Sequence, residues 1–136
     1  MGRSALCWQR FEGRVNPVHK FRMKLLCIDD DFAGLALRKT LLESAGYDVR
    51  VAGSGREGVR LVASHPFDAV ILDYDMPETD GGRVASAIKR IRHRLPIIVL
   101  SGAIDVPKKL LQSIDGFIAK GEPPALLLGK IQQLLA

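Results

Sequence analysis

The sequence predicts an α/β protein, a doubly wound five-stranded parallel sheet flanked by five helices, and three observations carry that expectation. Short apolar runs alternate five times with stretches of helical periodicity, the pattern of strands joined by crossover helices. Several of the runs stop abruptly at an acid, a hydroxyl or a lysine, as buried strands do where they emerge at a sheet edge. With 136 residues, 47% of them hydrophobic and 26% charged, the chain is one globular domain with enough apolar material for a real core.

The first strand is residues 24–28, Lys-Leu-Leu-Cys-Ile, which ends in three consecutive acids. Residues 32–46 follow as a helix, with Leu35, Leu37, Leu41, Leu42 and Ala45 assigned to its inner side, Lys39, Thr40 and Glu43 opposite, and Gly46 as C-cap. Residues 47–52 are strand-like. Residues 54–65 are helical with Gly58, Leu61 and Val62 turned inward, and Pro66 closes the unit. The third strand, 67–72, ends at Asp73; Val84, Ala87, Ile88, Ile91 and Leu95 then mark the inner stripe of a helix stopped by Pro96. A fourth strand at 96–100 ends at Ser101. A short helix at 107–113, a fifth strand at 116–119 ending at Lys120, and a last helix at 122–135 complete the series.

Ahead of the first strand, residues 1–22 read as a basic N-terminal extension to a domain at 23–136. Trp8 and Phe11 give the extension some apolar character, Gly13 and Pro17 interrupt any helical pattern, and Met23 makes a natural start. The extension lacks the apolar stretch of a secretory signal, and no run approaches the roughly 20 apolar residues of a membrane helix. Two cysteines, Cys7 in the extension and Cys27 in a strand, make no disulfide framework, so a reducing cytoplasm is the expected setting. The formal charge of +5 divides unevenly: residues 1–23 carry +4 and residues 24–136 only +1. A nucleic-acid partner is therefore disfavoured. The cluster Lys89, Arg90, Arg92 and Arg94 reads as a solvated helix face near a C-terminus, where cations are favoured. His19, His65 and His93 have no metal-ligand spacing.

Open parallel sheets bind ligands beyond the carboxyl ends of their strands, where the strand order reverses. Applied here, that rule collects Asp29 and Asp30 after strand one, Asp73 after strand three, Ser101 after strand four and Lys120 after strand five. Carboxylates about 4 Å apart repel by roughly 4 kcal/mol per pair at an effective dielectric near 20, and a divalent cation relieves this. An oxygen-only ligand set with room for water suits Mg²⁺. Each residue alone has a bland reading, since Asp favours turns and helix N-caps, Asp31 can simply start its helix, and Ser101 and Lys120 are ordinary surface types.

The acid pair of strand one, the Leu-Asp-x-x-Met-Pro-x-x-Asp-Gly segment at 72–81, and the later Ser101 and Lys120 together resemble the receiver domains of two-component response regulators, the CheY-like superfamily. The resemblance covers residues 24–136. It implies a flavodoxin-like strand order 2-1-3-4-5 and a stand-alone phosphorelay signalling domain, not an enzyme with turnover. It further implies Mg²⁺ held by Asp29, Asp30 and Asp73, with Asp73 as the phosphoacceptor. The phosphodonor would be a sensor histidine kinase or phosphotransfer protein, or a small molecule. Lys120 and the Ser101 hydroxyl would bind phosphoryl oxygens. Ser101 and Phe117 would form the switch, Phe117 turning inward behind the hydroxyl; lacking a phenol, Phe117 has no tip hydrogen bond to lose on burial. The switched surface, made of the fourth helix, fifth strand and last helix, would serve self-association or docking of a downstream protein. The last helix supports this, because Leu126, Leu128 and Leu135 lie off its Leu127, Ile131 and Leu134 stripe.

Three departures from the family pattern stand out. Gly121 follows Lys120 where receivers carry a cis proline, which predicts looser placement of Lys120. The stretch between Ser101 and Lys120 is short by about one helical turn. Asp75 places an acid two residues past Asp73, where it could bind a metal-bound water or alter dephosphorylation. Two other functions compete. Asp73-Tyr74-Asp75 resembles the Asp-x-Asp opening of haloacid-dehalogenase-type phosphatases, against which stand the early acid pair and the missing cap segment. A pseudo-receiver would keep the fold as a protein-binding module without phosphorylation.

Overall fold

The structure, a computed structural model, describes residues 7–11, 14–18, 22–77, 79–102 and 106–136. In chain order the elements are β1 (Cys7–Phe11), β2 (Arg14–Val18), β3 (Lys24–Ile28), α1 (Phe32–Ser44), β4 (Asp48–Ala52), α2 (Gly55–Ser64), β5 (Ala69–Asp73), α3 (Gly81–Ile91), β6 (Ile97–Ser101), α4 (Lys108–Ser113), β7 (Gly116–Ala119) and α5 (Pro124–Leu135). Strands β3 to β7 form a parallel sheet in the order β4-β3-β5-β6-β7, which is 2-1-3-4-5 when its own strands are counted along the chain. The expected fold class is present.

The inner strands β3, β5 and β6 are buried on both sides because they are apolar from Leu25, Ala69 and Ile97 up to their last residues, and the pleat sends alternate residues to opposite faces, whereas edge strand β4 exposes Asp48, Arg50 and Val51. Leu26, Ile28, Val70, Leu72, Ile97 and Val99 face a layer made by Val62 of α2, Val84, Ala85 and Ile88 of α3, and Leu110 of α4. Leu25, Cys27, Ala69, Ile71, Ile98, Leu100 and Ile118 face the opposite way, onto Leu35 and Leu42 of α1 and Leu127 and Ile131 of α5. Central strands β5 and β6 are buried along their whole length. Burial in the second layer also pushes the Cys27 thiol up to about 12, which sets it aside as a nucleophile.

Local chemistry sets the helix ends. Ser54 caps α2 by accepting from the Glu57 N–H at 3.1 Å, while the Glu57 carboxylate accepts from the Gly53 N–H at 3.3 Å, a reciprocal arrangement close to a capping box. Asp80 caps α3 through the Gly82 N–H at 2.8 Å. Helix α1 ends at Ser44, with Gly46 beyond the cap at φ +99°.

Several sequence expectations are corrected. Leu37 is 75% exposed, because it stands about 200° around the helix from Leu35 at 100° per residue, and the buried stripe runs through Leu35 and Leu42. Ile91 is exposed and Ala85, not Ala87, is buried on α3, since the helix ends at Ile91 and Leu95 enters the core from a turn. The basic cluster is more than a solvated face: Lys89 Nζ donates to Leu95 O and Asp115 Oδ2, both at 2.7 Å, and Arg92 Nε donates to Val62 O at 3.0 Å. The extension contains an antiparallel pair, β1 with β2, in which Pro17 stands opposite Trp8 and Phe11 opposite Arg14. The short α4 agrees with the abbreviated Ser101 to Lys120 stretch.

Helix α2 lies so close to β3 that a Cβ on Gly58 would overlap Ile28 Cδ1 and sit 2.7 Å from its Cγ1. Ile28 is fully buried and has nowhere to go. Gly58→Ala is expected to lower stability by about 1–3 kcal/mol in urea denaturation despite the better helix propensity of alanine.

Candidate functional site

The functional edge follows from strand register. Ile28 pairs with Leu72, Asp73 with Leu100 and Ser101 with Ala119, so β3, β5, β6 and β7 end close to level at their carboxyl ends. Asp29 follows β3, Asp73 and Ser101 end β5 and β6, and Lys120 follows β7. The five residues singled out at strand ends therefore meet at one edge, beside the point where strand order reverses between β3 and β5.

Asp29 and Asp73 are each only 2% exposed, Asp30 is exposed, and one carboxylate oxygen from each lies within 4.8 Å of the others. The set could hold a metal ion. It is all oxygen, with one exposed member that leaves space for water, and this chemistry fits a hard divalent cation such as Mg²⁺. Asp31 takes the N-cap position of α1 but makes no side-chain cap bond; instead its N–H donates to Asp29 Oδ1 at 3.0 Å.

The acids are held by a limited set of donors. Arg38 Nη1 donates to Asp29 Oδ2 at 3.3 Å, Lys120 Nζ lies 2.7 Å from Asp73 Oδ1, and the Asp75 N–H donates to the same oxygen at 3.0 Å. Arg38 was not among the sequence candidates. Its signal was a charge between Leu35 and Leu42 on the inner stripe of α1, a position that only a buried partner makes tolerable. Lys120 is also better anchored than Gly121 suggested. Its N–H donates to Ser101 O at 2.8 Å, its ammonium pairs with Asp75 Oδ2 at 3.2 Å as well as with Asp73, and Gly121 takes up φ +94°. Ser101 is fully buried, with its Oγ 3.3 Å from Asp75 Oδ1. Phe117, half-buried on β7, packs against the α2–α4 layer.

The electrostatics are asymmetric. Burial first, then the neighbouring Asp29, push the Asp73 carboxyl above the usual range, against the pull of Lys120 and the Asp75 N–H. The Gly102 N–H, with help from Lys120 and Ser101, holds Asp75 below the usual range in spite of partial burial. Burial lowers Lys120, but its bonds to Asp73 and Asp75 outweigh this and raise it.

A doubly wound parallel sheet whose carboxyl edge gathers Asp29, Asp30, Asp73, a hydroxyl and an ammonium defines an α/β domain with its polar groups concentrated at the place where such sheets bind ligands. The chain belongs to the response regulator receiver domain family, whose model matches residues 25–132. It is 32% identical over 123 residues to the probable transcriptional regulator ycf27 of Cyanidium caldarium, covering 88% of this chain and 49% of that protein. It is 33% identical over 116 residues to the response regulator MprA of Mycolicibacterium vanbaalenii, covering 83% of this chain and 50% of that protein. Against the sensor protein GacS of Pseudomonas syringae the identity is 35% over 112 residues, 76% of this chain and 12% of that protein. The chain thus spans half or less of these relatives.

Among solved structures, a CheY-like receiver domain from Methanospirillum hungatei matches with a TM-score of 0.81 at 27% identity, covering 85% of this chain and 94% of that one. The response regulator TrrA of Thermotoga maritima, solved in complex with Mg(2+)-BeF, matches with a TM-score of 0.78 at 28% identity, covering 83% and 99%. No helix among the described residues is long and apolar enough to cross a membrane.

The raised and lowered carboxyls give opposite pH dependences. Ionising Asp73 in the fold costs stability as the pH climbs from the ordinary carboxylate range through its raised value, whereas the stabilisation from Asp75 is lost only as the pH falls below that range. In metal-free buffer Asp73→Asn is therefore expected to raise the thermal midpoint at neutral pH, with the gain shrinking on acidification. Added Mg²⁺ should raise the wild-type midpoint and leave that of Asp73→Asn nearly unmoved. Thermal melts by circular dichroism check both, and an Asp73→Asn midpoint lowered at neutral pH would contradict the assignment.

Proposed function

We propose that this chain is a phosphoacceptor switch in which Asp73 takes a phosphoryl group in a reaction that requires Mg²⁺. The observation that carries the reading is the meeting of Asp73 with Asp29 and Asp30 on one side and the Lys120 ammonium, 2.7 Å away, on the other. Asp29, Asp30 and Asp73 would hold the cation, whose chemistry when bound is to neutralise charge on the transferring oxygens. An oxygen of Asp73 attacks phosphorus of a phosphohistidine or small phosphodonor. The O–P bond forms as the bond to the donor breaks, and an acyl phosphate results. Burial favours this nucleophile by keeping competing water away from it.

Lys120 and the Ser101 hydroxyl would then take phosphoryl oxygens, as a compact positive charge and a hydrogen-bond donor. Movement of Ser101 would leave room for Phe117 to turn inward from its half-buried position on β7. The surface of α4, β7 and α5 carries the exposed Leu111 and Leu126, and its change would control binding of a second copy or a downstream protein. A sensor histidine kinase or phosphotransfer protein is the proposed donor, and the cytoplasm the proposed setting. In this reading residues 23–136 are the receiver and residues 1–22 an appended extension. The phosphatase alternative asks Asp75 to carry a proton near neutral pH, and the bonds that hold its carboxyl below the usual range work against that role.

The test is mass spectrometry after treatment with acetyl phosphate and Mg²⁺. One phosphoryl group on the peptide containing Asp73, absent without Mg²⁺ and from Asp73→Asn, is expected; continued release of phosphate from an ester would favour the phosphatase, and no labelling at all a pseudo-receiver. Asp30→Asn should weaken Mg²⁺ binding by on the order of tenfold or more, read from the Mg²⁺ dependence of labelling and of the thermal midpoint.

A further inference from the structure

Asp75 is the acid that the phosphoacceptor reading leaves without a task, and its contacts are unlike those of a surface carboxylate. Its Oδ2 accepts the Gly102 N–H at 2.6 Å and lies 3.2 Å from Lys120 Nζ, while its Oδ1 lies 3.3 Å from Ser101 Oγ. Ser101 and Gly102 stand 26 and 27 residues away in sequence, at the end of β6, and Lys120 follows β7. Tertiary structure, not chain proximity, brings these donors to one carboxylate. Gly102 permits the close approach: a Cβ there would lie 3.3 Å from Asp75 Oδ2 and 4.0 Å from Lys120 Cδ.

An ammonium, a hydroxyl and a backbone N–H aimed at one oxygen-rich group form an anion-binding set. The same ammonium lies 2.7 Å from Asp73 Oδ1, so the set borders the oxygen on which a phosphoryl group would be built. A phosphoryl group on Asp73 carries three terminal oxygens. Those turned away from the metal side need donors, and among the described residues Ser101, Gly102 and Lys120 are already engaged by Asp75.

We propose that the Asp75 carboxylate is a built-in occupant of the phosphoryl pocket, holding the Ser101, Gly102 and Lys120 donors in the unphosphorylated protein and leaving before phosphoryl oxygens can take them. The proposal rests on Asp73 as phosphoacceptor. The Asp75 side chain is 35% exposed, so it has a route out to solvent, and an exposed ion pair of this kind exchanges readily with water. Two consequences follow. Phosphoryl binding is opposed by the contacts that Asp75 gives up, and an anion is exchanged for an anion, so the Lys120 ammonium and the Gly102 N–H change acceptor instead of finding one for the first time.

The test is titration with beryllofluoride in the presence of Mg²⁺, following the Gly102 amide by NMR in the wild type, Asp75→Ala and Asp75→Asn. Both variants are expected to bind beryllofluoride on the order of tenfold more tightly, the loss of one strong charge-assisted bond. In the wild type the Gly102 amide proton should start at a strongly hydrogen-bonded shift and move little on binding. In Asp75→Ala it should start upfield and move downfield as the analogue arrives. Asp75→Asn keeps the side-chain shape and carries the affinity test should the alanine variant fold poorly. Binding at Asp73 in all three chains with no gain in the variants, or a Gly102 amide shift that is the same in wild type and Asp75→Ala before titration, overturns the proposal alone. No binding by any of the three overturns the phosphoacceptor reading and this proposal with it.

Discussion

Asp29 and Asp73 are each only 2% exposed, and the arrangement around them is organised by the cost of that burial. A carboxylate taken out of water must find compensating charge or hydrogen bonds, or hold its proton. Adjacent strands β3 and β5 force the two acids together, because Ile28 and Leu72 are paired and each acid follows next in its chain. Arg38 and the Asp31 N–H answer Asp29; Lys120 and the Asp75 N–H answer Asp73. These partners do not fully offset the burial of Asp73, whose carboxyl stays above the ordinary range. The cluster of Asp29, Asp30 and Asp73 could hold a metal ion, and a divalent cation there would supply what the protein's own donors lack.

The same constraint explains how charge is distributed beyond the acid pair. Lys120 serves two carboxylates at once, 2.7 Å from Asp73 and 3.2 Å from Asp75, and so ties the end of β7 to the loop after β5. Its backbone is fixed independently through Ser101 O, which allows the side chain to redistribute between anions without the strand ends parting. Among the described residues, no fully buried side-chain polar atom lacks a partner. In the proposed switch, change at this edge would be an exchange of partners between groups already in contact.

How much of this was legible depended on whether the signal was local. Strand ends are local: an apolar run that stops at Asp29, Asp73, Ser101 or Lys120 announces both the strand and the edge where its last residue emerges. Arg38 was less legible, because a charged residue on an inner helical stripe looks like noise until Asp29 is known to lie beneath it. Leu37 and Ile91 were misplaced for a different reason, since leucine and isoleucine are assigned inward by type, whereas helix phase and helix length decide. The strand pair of β1 and β2 was not legible, because Cys-Trp-Gln-Arg-Phe and Arg-Val-Asn-Pro-Val lack strict alternation and Pro17 argues against a strand interior.

By itself, the sequence determined the alternation of strands and helices, the two-sided burial of the sheet and the identity of the residues at its carboxyl edge. Each of these follows from periodicity and from where apolar runs stop, and periodicity is a property of the chain alone. Tertiary structure decided which of those residues meet and what each is already bound to. Arg38 reaches Asp29 from a helix, Lys120 divides itself between two acids, and Asp75 takes donors from the ends of two other strands. Such pairings depend on strand register and side-chain reach across the sheet edge, between residues 26 or more positions apart in the chain for the Asp75 contacts to Ser101 and Gly102, and no local pattern encodes them.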